Sequence, residues 1–224
     1  MIVRYTILLV AALGCSRSGE NHPPPSPVSF LPSPVSQLPS VLFLGTSLTA
    51  GYGLRNPATE AFPALIQRKL DSAGRSFRVV NAGVSGESSA GALARIDWLL
   101  QRDSVAVLVL ETGANDGLRG QDPDSVRARI QAIVDRARRS VPPPALVLVG
   151  MEALPNLGAD YGRRFRAIFP ELARANRAAL VPFLLAGVGG VDSLNQDDGI
   201  HPTAAGHRIL AGNVWKILEP LTRP

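Results

Sequence analysis

A serine hydroxyl is a poor nucleophile until a neighbouring base takes its proton, and histidine is the side chain that most often serves. The chain contains three histidines. His22 stands in a proline-rich stretch, and His207 falls inside an expected helix, where a partly exposed structural role is the default. His201 occupies the segment QDDGIHPT, three residues after Asp198. Gly199 between them permits a tight turn that can bring the carboxylate to the imidazole Nδ1 and leave Nε2 facing a substrate. Pro202 biases His201 towards an extended backbone and keeps it off the helix that follows. Taken alone, Asp-Asp-Gly is equally a turn leading into a helix.

The serine that such a histidine can serve is Ser47, in FLGTSLTAGYG. An apolar run ends there at Gly45-Thr46-Ser47, and by itself Ser47 also reads as a turn residue closing a strand. Acyl transfer further needs donors for the oxyanion that forms on the attacked carbonyl. Gly86, in NAGVSGESS, can present a backbone N–H without side-chain obstruction, and Asn115, in TGANDG, can offer its amide. Each is an ordinary turn residue when met singly. The order Ser, Asp, His, with all three on expected loops, tips the reading towards nucleophilic catalysis.

Regular elements must carry these loops. Strand-like segments at 41–45, 77–81, 105–111, 145–150 and 180–185 alternate with helical spacing at 61–73, 90–101, 123–140 and 163–179. Thr203 is placed to cap a last helix running to residue 218. The run VAVLVLE (105–111) is continuously apolar before its final glutamate, as in parallel strands buried on both faces. Pro123 suits a first helical turn, and Pro182 points to an edge position for the fifth strand. The alternation predicts a three-layer α/β/α sandwich around a mostly parallel sheet of about five strands. Ligands in such sheets sit beyond the carboxyl ends of the strands. The loops 45–47, 81–83 and 111–113 directly follow strands, so three polar, glycine-bearing loops are expected on one rim.

The 224 residues suffice for one domain with a substantial core. The net charge of +5 comes mostly from arginines scattered through expected helices, which describes a solvated surface. Nucleic-acid binding needs a clustered basic face, so no such partner is expected. Residues 1–15 read as a signal peptide: Arg4 is followed by an apolar stretch of about ten residues, too short to span a membrane. Cys15, the sole cysteine, follows Ala-Leu-Gly and resembles the lipidated cysteine of a bacterial lipobox. The alternative is a simple cleaved signal with Cys15 incidental. Residues 16–40 are rich in Pro and Ser and read as a semi-rigid tether, leaving 41–224 as the folded domain. The expected location is outside the cytoplasm, either periplasmic or anchored to the outer membrane through Cys15. Ser16 after the cysteine resembles outer-membrane lipoproteins. Within the domain, disulfides, cysteine nucleophiles and thiolate metal sites are excluded. No His/Asp cluster has metal-ligand spacing, and no Walker or dinucleotide loop occurs, so no metal and no cofactor is expected.

Gly45-Thr46-Ser47-Leu48, Gly86, Gly113-Ala114-Asn115-Asp116 and Asp198-Gly199-Ile200-His201-Pro202 occur in the order of the blocks of the GDSL, or SGNH, hydrolases. SLTAGYG, VVNAGVSGESS, NDGLRG, YGRRF and QDDGIHP resemble the multifunctional thioesterase/arylesterase/lysophospholipase branch of that family. The resemblance runs from residue 41 to the C-terminus. It implies a flavodoxin-like SGNH hydrolase fold, Ser47 as nucleophile, His201 as general base and Asp198 orienting it. It also implies an oxyanion hole of the Ser47 and Gly86 backbone N–H groups with the Asn115 side chain. The implied substrates are small esters or thioesters, lysophospholipid included. A monomer is the favoured oligomeric state.

Thr46 stands where the family name has aspartate. In the family that aspartate is not the triad acid, so its loss leaves the chemistry in place. A carboxylate there can brace the nucleophile loop through backbone N–H bonds, and a threonine hydroxyl makes fewer of them. Thr49 breaks the Gly-x-Ser-x-Gly pattern, so the α/β-hydrolase elbow is not expected. Two other readings remain. One is a deacetylase of acetylated sugars or cell-wall polysaccharide with the same machinery, against which the 5% aromatic content and apolar loops such as Ala153-Leu154 favour acyl chains. The other is a tethered binding lipoprotein without activity, which would show a broken catalytic set; none is broken here.

Overall fold

The computed structural model describes residues 38–223. The expected signal peptide, Cys15, His22 and the tether as far as residue 37 lie outside the described residues. Five apolar segments pair side by side: β1 (Ser40–Gly45), β2 (Arg78–Gly83), β3 (Val105–Leu110), β4 (Ala145–Val149) and β5 (Ala179–Val181). Every pairing is parallel, and the order is β2-β1-β3-β4-β5. β1 lies between β2 and β3, and all six of its residues are buried. Burial of each large side chain there, Leu42, Phe43 and Leu44, stabilises the fold by about 2 kcal/mol.

The connections are helical: α1 (Ser47–Ala50), α2 (Pro57–Glu60), α3 (Phe62–Ser72), α4 (Ser89–Arg102), α5 (Ala114–Leu118), α6 (Pro123–Arg138), α7 (Ala159–Ala175) and α8 (Ala204–Leu218). α3 packs on α8, whereas α4, α6 and α7 pack in series. Right-handed crossovers put these two groups on opposite faces of the sheet, which gives the three expected layers. The chain leaves β1 for β2 in one direction and later builds β3 to β5 in the other. The switch point between β1 and β3 is where such sheets open a crevice.

Two elements differ from the sequence reading. α7 begins and ends four residues earlier than the spacing suggested, because the chain turns after Ala175 and Arg177 takes a positive φ of 46°. It continues through Pro170 because Phe165, Ile168, Phe169 and Leu172 bury one face on both sides of the ring. β5 is only three residues long, is the edge strand, and stops before Pro182. Thr203 does cap α8, accepting the Gly206 N–H at 3.3 Å. Arginines of α6 and α7 are paired with acids along the helix surfaces, as in Arg136 with Asp97 and Arg164 with Asp124.

His207 is a correction: it is buried, not partly exposed. It shares a helix face with Leu210, Ala211 and Val214, so the spacing that makes α8 amphipathic carries the imidazole inward. Its Nδ1 accepts the N–H of Phe62, the first residue of α3, at 3.2 Å, and its ring stacks on the Phe62 ring. Burial holds its pKa down from 6.5 to about 4, so the ring is neutral and free to accept.

A group whose folded pKa lies below its unfolded value stabilises fully above 6.5, and that stability is lost as pH falls towards 4. The interval corresponds to ~3 kcal/mol. We expect urea denaturation between pH 7 and 4 to show this loss, and His207→Asn, whose side-chain oxygen still accepts from Phe62, to lack it. The difference between the two proteins isolates the imidazole from other titrating groups.

Candidate active site

β1 delivers the first loop. A side chain on Gly45 would place its Cβ 2.0 Å from Thr49 Oγ1 and 2.8 Å from Glu111 Oε2, so only glycine fits where the strand turns into α1. Thr46 is the N-cap of α1 and Ser47 its first residue. Ser47 Oγ lies 2.9 Å from His201 Nε2, and His201 Nδ1 lies 2.6 Å from Asp198 Oδ2. Residues 154 apart in sequence thus meet at hydrogen-bond distance.

The loop between β5 and α8 fixes the imidazole. Gly199 takes φ +67°, and this turn lets Asp198 Oδ1 accept the N–H groups of Ile200 and His201, each at 2.9 Å. The His201 backbone N–H, then its imidazole, then the Ile200 N–H hold the Asp198 pKa down to about 2. An ionised carboxylate only accepts, so Nδ1 carries the proton and Nε2 of the neutral ring is left to accept from Ser47 Oγ–H. Gln196 joins this loop to the nucleophile side, donating to Tyr52 O at 2.8 Å and to Pro202 O at 3.0 Å. The Tyr52 ring lies against His201, with centroids 4.7 Å apart.

The other two loops follow β2 and β3. Asn115, in α5, donates through Nδ2 to Glu87 O at 3.0 Å, which uses one amide proton and leaves the second. Ser47, Gly86, Asn115 and His201 all line one cleft of about 660 Å³. Its remaining walls are largely apolar: Leu48, Leu118, Met151, Leu154, Phe183, Leu185 and Ile200. All five residues singled out for chemistry are therefore brought to one rim, whereas Cys15 lies outside the described residues.

Glu111 is what the sequence reading missed. It follows β3 directly and is fully buried beneath α1. Its Oε2 accepts the Thr46 N–H and the Thr49 hydroxyl, both at 2.8 Å, and the Thr46 hydroxyl lies 2.9 and 3.0 Å from its two oxygens. Burial pushes its pKa up from 4.5, against the pull of these donors. The bracing expected from a carboxylate at position 46 thus comes from the neighbouring strand. A polar residue ending the run VAVLVLE was the available signal. Asp116, the residue after Asn115, is buried and accepts both the N–H and the hydroxyl of Ser89 at 2.7 Å, tying α5 to the start of α4.

A hydroxyl, an imidazole and a carboxylate in series at the carboxyl edge of a parallel sheet is the arrangement of a serine hydrolase. Residues 43–209 match the model of the GDSL-like lipase/acylhydrolase family, and the chain belongs to that family. Esterase TesA of Pseudomonas aeruginosa is 40% identical over 182 residues, covering 81% of this chain and 89% of that protein. The Escherichia coli protein named thioesterase 1/protease 1/lysophospholipase L1 is 36% identical over 182 residues, covering 81% and 84%. The crystal structure of TesA superposes with a TM-score of 0.77 at 40% identity, covering 81% of this chain and 99% of that one. AlinE4, an SGNH-hydrolase family esterase, gives 0.68 at 37% identity, covering 85% and 100%. The chain is thus an enzyme, a serine-type hydrolase of carboxylic esters or thioesters on the α/β fold that the sequence implied.

Thr46→Asp would set a second carboxyl against Glu111 where neither reaches water, and two such groups cannot both ionise. We expect the variant to keep hydrolysis within about tenfold at mildly acidic pH, roughly 1.4 kcal/mol of barrier, and to lose activity and thermal stability as pH rises. Adding Glu111→Gln removes one of the two charges and should flatten that pH dependence, read from kcat and Tm across pH 5 to 9.

Proposed function

We propose that Ser47 is the nucleophile, His201 its general base and Asp198 the group that holds the imidazole tautomer. The observation that carries this reading is the unbroken hydrogen-bonded series from Ser47 Oγ through His201 to Asp198, opening onto an apolar-walled cleft. Ser47 Oγ attacks the ester or thioester carbonyl while its proton passes to His201 Nε2. The oxyanion is received by the Ser47 and Gly86 N–H groups and the free proton of the Asn115 amide. The imidazolium then protonates the leaving alkoxide or thiolate, and an acyl-enzyme on Ser47 remains. Water, deprotonated by the same imidazole, releases the acid and restores the serine.

The substrates on this reading carry a single acyl chain, as aryl esters, acyl thioesters or lysophospholipids do. The apolar side chains around the cleft support it, and they give a sugar ring few polar partners. The names of the relatives, esterase, thioesterase and lysophospholipase, point the same way. We further propose that the protein is exported and carried as a monomer on a lipid anchor at Cys15, a reading supported by the apolar leader, the lone cysteine and the Pro/Ser-rich tether.

A serine-acylating fluorophosphonate should label the wild type and leave Ser47→Ala unlabelled. With nitrophenyl esters, kcat should fall by about a thousandfold or more in Ser47→Ala and in His201→Ala, and less in Asp198→Ala. Rates should rise with acyl length beyond acetate and be low on acetylated sugars. A preference for acetylated sugars over every acyl chain would assign the enzyme to deacetylation instead.

A further inference from the structure

The mechanism assigns the oxyanion hole to Gly86 and Asn115 but leaves open what holds the loop that carries Gly86. Gly86 lies on a connection between β2 and α4, and a loop that drifts would misplace a donor that must meet the developing charge. The Arg95 guanidinium, from the second turn of α4, reaches the residue that follows Gly86. Arg95 Nε and Nη2 reach the two carboxylate oxygens of Glu87 at 2.6 Å each, a two-pronged pairing. The same Nη2 donates to Ala82 O at 2.7 Å and lies 3.4 Å from Gly45 O, the last residue of β1. One cation therefore joins the ends of two strands to the residue following Gly86.

The Glu87 main chain is used as well. Its carbonyl accepts the Asn115 amide, and the Gly86 carbonyl accepts from Arg119 Nη2 at 3.0 Å. Glu87 thus sits between both side-loop donors, held by its side chain and its backbone at once. The pairing is largely withdrawn from water, with side-chain exposures of 22% for Arg95 and 9% for Glu87. Gly91 makes room for it: a Cβ there would fall 2.8 Å from Glu87 Cγ and 3.3 Å from Oε1. Glu87 folds back over the first turn of α4 where the helix has no side chain.

From this geometry we propose that the Arg95–Glu87 pair positions the oxyanion hole, and that Gly91 is the space that lets it form. The pair touches no reacting atom; it acts through Gly86 and Asn115, and the inference rests on their assignment to the oxyanion. A lysine at 95 keeps the charge but cannot make the fork, so the charge alone does not suffice.

The test uses Arg95→Lys, Glu87→Gln and Gly91→Ala, each titrated with the fluorophosphonate so that rates refer to intact sites. Displacing Glu87 from a pair largely withdrawn from water costs stability, and the helix preference of alanine over glycine offsets part of it. Tm should therefore fall less in Gly91→Ala than in Glu87→Gln while kcat falls as far, which separates positioning from folding. We expect kcat per titrated site to fall about tenfold to a hundredfold, below the loss of an oxyanion donor itself, with KM within about threefold. The inhibition constant of a trifluoromethyl ketone, whose hemiketal oxyanion occupies the same hole, should rise in proportion. Combining Arg95→Lys with Glu87→Gln should add little to either alone. The inference is overturned if kcat per site and the ketone constant stay within about twofold of wild type while only Tm or the titratable fraction falls. A wild type that the phosphonate fails to label would overturn the Ser47 reading first, and this one with it.

Discussion

A carboxyl group sealed under the first turn after β1 is the constraint around which the catalytic rim is arranged. Glu111 has no water to solvate it, and an isolated buried charge or unpaired acceptor costs several kcal/mol, on the order of 2–7 for a polar group alone. It is satisfied only if the chain on the next strand turns so that Thr46 and Thr49 face it. That turn leaves Ser47 at the start of α1 with its hydroxyl outward, and it leaves Gly45 no space for a side chain. The orientation of the serine follows from a requirement of the interior. Thr46 also finds its explanation here: a hydroxyl can bond to a buried carboxyl without adding a second charge.

The site holds its carboxyl groups in contrasting environments. Asp198 lies partly in water, accepts three N–H donors and stays ionised to low pH. Glu111 lies in the interior and is pushed the other way. One supplies a permanent negative charge that fixes a tautomer; the other braces a loop at a place where ionisation is costly. Environment separates their roles, not residue type. Two further acids near this rim, Asp116 and Glu87, hold neighbouring elements: one caps α4 from a distance and the other is clamped by Arg95.

The core of the fold could be read directly from the chain. The strands at 41–45 and 105–110 are continuous apolar runs because both faces are covered, and their parallel pairing follows from the helices between them. The end of α7 could not be read, since Ala and Arg beyond residue 175 are good helix formers and only tertiary packing turns the chain into β5. His207 stands at the i, i+3, i+4, i+7 spacing of Leu210, Ala211 and Val214, so its burial was legible in the chain. Only the tertiary structure supplies the Phe62 N–H that its imidazole accepts.

The residues of the site divide in the same way. Ser47, Asp198, His201, Gly86 and Asn115 each read singly as turn residues; their order along the chain and the family resemblance of their blocks pick them out, and the structure brings them to one rim. Asp198 and His201 in particular meet through a three-residue turn, a contact set by local backbone alone. What the sequence by itself determined was therefore the chemistry on offer and the loops that present it. Only the tertiary structure decided that Ser47 meets His201 across 154 positions, that Glu111 supports the loop where aspartate is missing, and that Arg95 ties Glu87 to two strand ends. Those contacts join separate elements, and their distances are fixed by how a parallel sheet stacks its strands, which no local stretch of residues encodes.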